Sequence, residues 1–268
     1  MQADFTIGII GGSGMLGRAI ARALLLRGGW PQSRLWIANR SGSREGFEDF
    51  PGVTVTADNQ ALADACDLVV LSVPPALAGD LGIHAPERLV LSVMAGVSAT
   101  RIAGLTGAAR VVRAMSSPAA ELGLAYSPWF ATSEVSAGDQ ARVVTLFTPC
   151  GATDRVETEK QVELFTAMTG PVPGFVAYFA ECMAGYATVQ GVPADLADRA
   201  ARQLFLAAGR MMAEGADRPG DHVQAMVDYD GTTAAGLRAM RASGIAAGIA
   251  AGLDAAIEKT RSIGAPED

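Results

Sequence analysis

The stretch Phe5-Thr6-Ile7-Gly8-Ile9-Ile10-Gly11-Gly12-Ser13-Gly14-Met15-Leu16-Gly17 sets the organisation of the whole chain. Its apolar first half predicts a buried strand, and residues 18–27 carry apolar side chains at helical spacing. Strand, glycine turn and helix in this order are the context of a dinucleotide-binding fingerprint. The glycines let the backbone approach a pyrophosphate, and the helix amino terminus attracts its charge. Ser13 replaces the usual second glycine, so the spacing is G-x-x-G-x-x-G, and an ordinary tight turn is the alternative interpretation.

Further apolar strands are predicted at 35–38, 53–55, 67–72, 88–93 and 109–115, alternating with helices. This alternation predicts an α/β fold with an N-terminal Rossmann-like, doubly wound parallel sheet. A strand over 124–131, a helix over 137–148 and a closing strand over 153–157 are expected to complete it. Because ligands bind beyond the carboxyl ends of such strands, the predicted cofactor-binding residues are Gly11, Gly12, Ser13, Gly14, Met15, Leu16, Asn39, Arg40, Ser41, Val73, Pro74, Ala95 and Gly96.

The end of the second strand indicates which cofactor is bound. An acidic residue there would hold the ribose hydroxyl of NAD, whereas basic and hydroxyl groups accommodate the 2′-phosphate of NADP. The chain has Asn39-Arg40-Ser41 at this place, followed by Arg44. We therefore predict NADP (NADPH) as the cofactor. The alternative is that Arg40 and Arg44 are solvated arginines of a turn.

Composition narrows the function classes. Half of the 268 residues are hydrophobic, which predicts a globular protein, and the net charge of −7 without a basic stripe argues against a nucleic-acid partner. The three cysteines lack metal-ligand spacing, so no metal site is predicted and a reducing, cytoplasmic setting is expected. Glu181 and Asp254 interrupt the apolar stretches 172–192 and 245–257. We expect these stretches to form buried helices, not membrane spans.

The pattern changes near residue 158, after which only helices are predicted. We therefore divide the chain into an NADP-binding domain, 1–157, and an all-helical substrate and dimerisation domain, 158–268. In the last helix Gly244, Gly248 and Gly252 recur every fourth residue, a surface that lets another backbone come close. This predicts a homodimer through the C-terminal helices, with further assembly left open; burial within one subunit is the alternative. The predicted helices are 160–168, 174–190, 194–214, 220–227, 232–242 and 244–262.

Two familiar kinds of dehydrogenase chemistry are disfavoured by the scarcity of suitable side chains. The histidines, His84 and His222, do not follow predicted strands of the first domain, so a histidine base for hydroxy-acid oxidation is not expected. The lysines, Lys160 and Lys259, lie in polar stretches, and the helix from Phe175 lacks the lysine of β-hydroxyacid dehydrogenases.

The stretch Asp228-Tyr229-Asp230-Gly231-Thr232-Thr233-Ala234-Ala235-Gly236-Leu237 resembles the Gly-Gly-Thr-Thr-x-x-Gly-Leu signature of pyrroline-5-carboxylate reductases. The strings 7–11, 38–41, 93–98 and 112–115 are similar to strings of that family in the same order, as is the tail from 243 to 261. The resemblance implies an NADPH-binding Rossmann domain, a helical dimerisation domain and hydride transfer to the C=N carbon of a cyclic imine. The default reaction is 1-pyrroline-5-carboxylate to proline.

The resemblance also assigns site residues. It places Thr233 beside the ring nitrogen, and the neighbouring carboxylate and phenol complete the predicted catalytic set: Thr233, Thr232, Asp230 and Tyr229. The predicted substrate-binding residues are Met115, Ser116, Thr169, Gly170, Phe175 and Gly231. The alternative for the threonines is a helix N-cap, and Asp228 and Asp230 have the same alternative.

Three departures from the family concern the substrate half. The family's Ser-Gly-x-Gly-Pro-Ala-Tyr loop is replaced here by Thr169-Gly170-Pro171-Val172-Pro173-Gly174-Phe175. The two prolines of this chain's loop have no N–H to donate. Met-Pro-Asn becomes Met115-Ser116-Ser117, and Ser-Pro-Gly-Gly becomes Asp228-Tyr229-Asp230-Gly231. Two other hypotheses therefore stay open: the same fold acting on another imine or carbonyl compound, and a non-catalytic nucleotide-binding protein.

Overall fold

The computed structural model describes residues 4–170 and 174–264. These residues form two compact units. The first consists of the described part of 1–171 together with the described part of 255–268, and the second consists of the described part of 172–254.

The first unit is built on a mainly parallel sheet. The strands of this unit are β1 Ile7–Ile10, β2 Leu35–Ala38, β3 Thr54–Thr56, β4 Leu68–Leu71, β5 Leu89–Ser92, β6 Arg110–Ala114, β7 Ala125–Tyr126, β8 Trp129–Ala131 and β9 Gly151–Ala152. Seven of them form one sheet with the order β3-β2-β1-β4-β5-β6-β8. Neighbouring strands pair in parallel from β3 to β6, and β8 joins β6 antiparallel. The predicted Rossmann-like, doubly wound fold is thus confirmed.

The central strands are apolar along their whole length because helices cover both faces of the sheet. Ile9 points into a cluster shared with Leu24 and Leu146, whereas its neighbour Ile10 belongs to a second cluster with Leu62 on the opposite face. The helices of this unit are α1 Met15–Leu26, α2 Asn59–Ala65, α3 Ala99–Thr106, α4 Ala137–Phe147 and α5 Glu159–Thr169.

Side-chain caps fix where two of these helices begin. The carboxylate of Asp58 accepts from the amides of Gln60 and Ala61 at the start of α2, and the hydroxyl of Ser98 accepts from the amide of Arg101 at the start of α3. Aspartate and serine are among the side chains that most often cap a helix in this way. The two caps matter for function because each capped helix leaves from the carboxyl edge of the sheet.

Two strand predictions near the sheet edge are wrong. The expected strand over 124–131 is two short strands, β7 and β8, separated by Ser127 and Pro128, and 153–157 is not a strand. Residues 154–156 instead run beside Trp129, whose amide donates to the Asp154 carbonyl while its own carbonyl accepts from the Val156 amide. Their single bridge pairs Trp129 with Arg155. Because only one residue pair is in register, the segment does not extend the sheet.

The second unit is helical, as predicted, and the predicted helices of the C-terminal region agree with the structure to within two residues. Small side chains, Ala184, Ala197 and Ala201, form the centre of the packing between its first two helices. The helices that follow α5 are α6 Gly174–Val189, α7 Ala194–Glu214, α8 Pro219–Asp228, α9 Thr232–Ala242 and α10 Ile245–Gly264; α10 runs on into the first unit from residue 255.

The expectation that the apolar stretches 172–192 and 245–257 are buried is wrong for the single chain. Large side chains such as Tyr178, Tyr186 and Ile249 are exposed, at 68%, 70% and 56%. Over the described residues, no helix is by itself both long and apolar enough to cross a membrane. Helices α9 and α10 meet that criterion only when taken together, across a bend of 58°.

Candidate functional site

A cavity of about 410 Å³ lies at the carboxyl ends of β1, β2 and β4. This is the edge at which the strand order reverses on either side of β1, where the sequence predicts that a ligand binds. Its lining includes Gly11, Ser13, Gly14, Asn39, Arg40, Val73 and Pro74, seven of the predicted cofactor-binding residues.

The glycine turn after β1 is packed too closely for side chains. Gly11 has a φ of +81°, and a Cβ atom added to it would lie 2.4 Å from the backbone oxygen of Ser72. A Cβ on Gly17 would lie 2.6 Å from the oxygen of Gly11, and one on Gly12 would meet the Ile37 side chain at 2.8 Å. Ser13 is exposed, so its side chain needs no such space. These contacts explain the glycines at 11, 12 and 17; at Gly14 an added Cβ would lie 3.2 Å from the oxygen of Gly11, a tight but less severe contact.

Helix α1 begins at this turn with an open amino terminus. Its N-cap is Gly14, which has no side chain to cap the first turn, and no acidic residue lies in that turn. The amides of Met15, Leu16 and Gly17 are the donors that a helix leaves unpaired at its start. Together with the helix dipole they favour a bound anion such as a pyrophosphate.

The turn after β2 presents one unpaired guanidinium. Its shape is held by Asn39, whose Oδ1 accepts from the Ser43 amide at 3.1 Å and from the Ser41 hydroxyl at 3.2 Å. Arg40 is exposed and has no hydrogen-bond or ion-pair partner within the described ranges. Arg44, in contrast, donates to the Phe50 carbonyl at 3.1 Å. Arg40 is therefore the arginine available to a 2′-phosphate.

The predicted residues at the ends of β5 and β6 are less accessible. Ala95 and Gly96 are half-buried, and Gly96 has a φ of +73°. Met115 packs with Val162 in a small cluster under α5. Ser116 is buried, and its hydroxyl lies 2.9 Å from that of Ser127. The substrate contacts predicted for Met115 and Ser116 stay predictions.

Tyr126 is a polar residue at this edge that the sequence analysis missed. Its ring lies 5.5 Å from that of Phe165, and it directly precedes Ser127, the partner of Ser116. Burial raises the pKa of the Tyr126 phenol, and its hydrogen bond to Asp154 raises the pKa further. The phenol therefore keeps its proton at neutral pH. The continuous strand predicted over 124–131 does not single out Tyr126 as a functional residue.

In the second unit, the corner between α8 and α9 carries the residues of the signature. Asp230 adopts a φ of +55°, and its carboxylate lies 2.7 Å from Nη2 of Arg238. The Asp228 carboxylate accepts a hydrogen bond from the side-chain amide Nε2 of Gln224 at 2.7 Å. The N-cap of α9 is Gly231, with no capping side chain. The alternative in which the aspartates or threonines cap this helix is therefore wrong.

Thr232 and Thr233 form the first turn of α9, and both are exposed. No hydrogen-bond partner of either hydroxyl occurs in the part of the chain that the structure describes. Tyr229 is 86% exposed, and its ring lies next to Gly231. The corner thus presents two hydroxyls, a phenol and a paired carboxylate to a ligand.

The predicted substrate loop 169–175 is described only at its ends. The Thr169 hydroxyl donates to the Phe165 carbonyl at 2.8 Å, and Gly170 ends α5. Phe175, near the start of α6, is 46% exposed. The remaining residues of the loop, 171–173, lie outside the described residues.

Three or more His, Cys, Asp or Glu side chains do not come together anywhere in 4–170 or 174–264 in a way that could hold a metal ion. The lining of the cavity includes neither His84 nor His222. The cleft and the corner between α8 and α9 present hydrogen-bonding groups and an anion-binding helix terminus.

Comparison with known proteins gives two family matches. A family model described as pyrroline-5-carboxylate reductase dimerisation matches residues 159–263. A second, described as NADP oxidoreductase, coenzyme F420-dependent, matches residues 6–96.

Relatives match over nearly the whole chain. The chain is 30% identical to the pyrroline-5-carboxylate reductase of Vibrio alginolyticus over 234 residues, 85% of this chain and 86% of that protein. It is similar to the solved 1-pyrroline-5-carboxylate reductase of Streptococcus pyogenes, with 27% identity, a TM-score of 0.80 and coverage of 96% and 98%. The NADP-bound pyrroline carboxylate reductase of Plasmodium falciparum shares the fold, with 20% identity, a TM-score of 0.81 and coverage of 99% and 100%.

Proposed function

The chain belongs to the pyrroline-5-carboxylate reductase family, and we propose that it is an NADPH-dependent reductase that converts 1-pyrroline-5-carboxylate to proline. The observation that carries this proposal is the cleft after β1, where a glycine turn, an open helix terminus and the unpaired Arg40 lie together. The match of the C-terminal helices to the family's dimerisation model supports it.

The residues of the cleft suit NADPH. The amides at the start of α1 would hold the pyrophosphate, and no Cβ atom stands in the way at Gly11 or Gly17. Arg40 and Ser41 would hold the 2′-phosphate, because a guanidinium offers several donors to phosphate oxygens. When bound, the cofactor supplies the hydride for the imine carbon.

The protein must also manage the proton on the imine nitrogen. We assign the Thr233 hydroxyl as the hydrogen-bond partner of the substrate near its ring nitrogen, with Thr232 and Gly231 beside it. A positive charge on that nitrogen is favoured by a nearby carboxylate. Asp230 supplies one, and its ion pair with Arg238 fixes where that carboxylate lies. Tyr229 adds a donor.

A different imine or carbonyl substrate is the second candidate. It is favoured by the corner 228–231, where exposed Tyr229 and Asp230 stand in place of the family's Pro and Gly. Assaying a panel of cyclic imines beside 1-pyrroline-5-carboxylate separates the two proposals. NADPH binding without oxidation by any of them would favour a non-catalytic protein.

Replacing Arg40 with alanine tests the cofactor assignment. Losing a charged hydrogen bond to the 2′-phosphate typically costs about 1.5–3 kcal/mol, so we expect the Kd for NADPH to rise roughly 10- to 100-fold. The Kd for NADH should change less than about threefold, since NADH has no phosphate for Arg40 to hold. Titration of cofactor fluorescence measures both constants.

Arg199→Ala is the control, because Arg199 is an exposed arginine of the second unit that pairs with Asp195 on its own helix. It should leave both constants unchanged. An equal loss of NADH and NADPH affinity in Arg40→Ala would contradict the role of Arg40 in phosphate recognition.

We also propose a homodimer through the C-terminal helices. Residues 241–250 are exposed in the single chain, and Cβ atoms added to Gly244, Gly248 and Gly252 would meet no atom within 4 Å. The alternative of burial within one subunit is therefore wrong for the described residues. Apolar surface of this extent on a single chain favours association with a second copy.

Gly248→Arg tests this surface. A long charged side chain there should prevent two backbones from approaching. We expect light scattering to give twice the 27.6 kDa of one chain for the natural sequence and a single-chain mass for the variant. The control, Gly138→Arg, changes an exposed helical glycine of the first unit. If Gly248→Arg has the same molar mass by light scattering as the natural protein, this face is not the dimer interface.

The domain division at 157/158 and a reducing, cytoplasmic setting remain parts of the proposal. The dimerisation match from residue 159 supports the first, although α5 belongs to the same compact unit as the sheet. The three free cysteines support the second. Burial raises the pKa of Cys66 and of Cys150 to about 12, so neither thiol is reactive at neutral pH.

A further inference from the structure

A buried arginine lies below the cleft edge of the sheet. Arg113, near the end of β6, is 1% exposed, and its Nη1 lies 3.0 Å from the Oε1 of Glu159. Its Nε and Nη2 are also buried, and neither has a partner within the described ranges. Burying a guanidinium costs free energy, and one ion pair offsets that cost only in part.

Glu159 connects three elements through one oxygen atom. Its Oε1 accepts from Arg113 of β6 and also from the amide of Ala99 at 2.7 Å, while Glu159 itself is the first residue of α5. The start of α5 is held in turn by Gln161, whose Oε1 accepts from the amides of Glu157 and Thr158. The position of the Glu159 carboxylate is thus determined by its own helix and by Arg113.

The segment fixed by this carboxylate is 94–98, which connects β5 with α3. At its beginning the Met94 amide donates to the Ser92 hydroxyl at 3.1 Å. At its end the Ala99 amide donates to Glu159. Between these two anchors lie Ala95 and Gly96, which are predicted to contact the cofactor.

The other ion pair of β6 has no such connection. Arg110, the first residue of the strand, pairs with Asp139 of α4 at 2.9 Å. Because β6 runs parallel to the central strands, Arg110 lies at the amino edge of the sheet and Arg113 lies towards the edge that carries the cleft. Removing the acidic partner of each ion pair therefore separates an effect on stability from an effect on cofactor binding.

We propose that Arg113 and Glu159 are positioning residues for the cofactor: Arg113 orients the Glu159 carboxylate, and the hydrogen bond from the Ala99 amide to that carboxylate holds segment 94–98 at the sheet edge that carries the dinucleotide cleft. The proposal rests on the proposed function of that cleft as an NADPH site. Its consequence is that removing the acceptor oxygen of Glu159 weakens cofactor binding, although the lining of the cleft includes neither side chain.

The test compares Glu159→Ala and Glu159→Gln with Asp139→Ala, using the Kd for NADPH, KM, kcat and the melting temperature of each full-length protein. We expect Glu159→Ala to raise the Kd and KM for NADPH about tenfold, with kcat within about threefold of the natural enzyme. Glutamine keeps an acceptor oxygen, so Glu159→Gln should stay within about threefold in Kd. Asp139→Ala should lower the melting temperature and leave the Kd unchanged.

An unchanged Kd in Glu159→Ala, with a fall in melting temperature like that of Asp139→Ala, would overturn the proposal, since the pair would then serve stability alone. Glu159→Gln binding as weakly as Glu159→Ala would also overturn it. If Glu159→Ala does not fold, Glu159→Asp takes its place with the same expectation, because its shorter side chain does not reach the Ala99 amide. Failure of the natural protein to bind NADPH would instead refute the proposed function.

Discussion

Gly11→Ala is expected to lower NADPH affinity by about a hundredfold or more. The added Cβ would lie 2.4 Å from the Ser72 oxygen, and alanine is strained at a φ of +81°. The turn must move to relieve both, and any movement displaces the amides at the start of α1. Titration of NADPH fluorescence measures the loss.

Gly104→Ala is the matched control, because a Cβ on this glycine of α3 meets nothing within 4 Å. It should bind NADPH normally, and we expect slightly higher stability, since alanine favours helices over glycine by about 1 kcal/mol. Normal NADPH binding by folded Gly11→Ala would contradict the assignment of this turn to the pyrophosphate.

Thr233→Val should lower kcat/KM for 1-pyrroline-5-carboxylate roughly 10- to 100-fold while leaving the Kd for NADPH unchanged. Valine has nearly the same shape as threonine but lacks the hydroxyl, and a hydrogen bond to a developing charge is worth about 1.5–3 kcal/mol. Thr233 is exposed, and its hydroxyl makes no hydrogen bond with any described residue. The change should therefore leave the melting temperature nearly unaltered. Steady-state kinetics at saturating NADPH provide the measurement.

Thr233→Ser keeps the hydroxyl and should retain most of the activity. Thr232→Val, one residue earlier in the same turn, shows whether the effect belongs to Thr233 alone. Full activity in Thr233→Val would contradict the proposed role of the Thr233 hydroxyl in binding the substrate.

The sequence predicted the fold of the cofactor half well because the signals for that fold are local. The strand, glycine turn and helix between Phe5 and Trp30 are contiguous, and each glycine contact follows from how closely these elements must pack. The signal at the end of β2 is equally local, and Arg40 lies in the turn after that strand, as predicted. Even so, only the structure distinguishes Arg40 from Arg44, because the bond from Arg44 to the Phe50 carbonyl depends on how the loop folds back.

Features made by distant residues could not be predicted. Arg113 and Glu159 lie 46 positions apart, and an arginine in an apolar strand gives no sign of its partner. The prediction for the edge of the sheet was wrong for a similar reason. Residues 154–156 pair with β8 through one residue pair only, and a hydrophobic pattern along the chain does not reveal how many residues pair. The exposed helices of the second unit were expected to be buried, since hydrophobic periodicity does not reveal whether the covering surface belongs to the same chain.

The corner at α8–α9 shows a third kind of limit. Thr232 and Thr233 were open to a capping role because threonine is a common N-cap. The helix instead begins at Thr232 after Gly231, so both hydroxyls are left for other partners. A shift of one residue in a helix start, too small for sequence patterns to resolve, decides between a structural and a functional role.

The most direct test is NADPH oxidation by the purified protein with 1-pyrroline-5-carboxylate, run beside NADH and a panel of other cyclic imines. We expect turnover that forms proline, with NADPH preferred over NADH. Tight NADPH binding with turnover only on another imine would keep the cofactor site and reject the proposed substrate. Binding without turnover on any imine would contradict the account of this protein as a reductase.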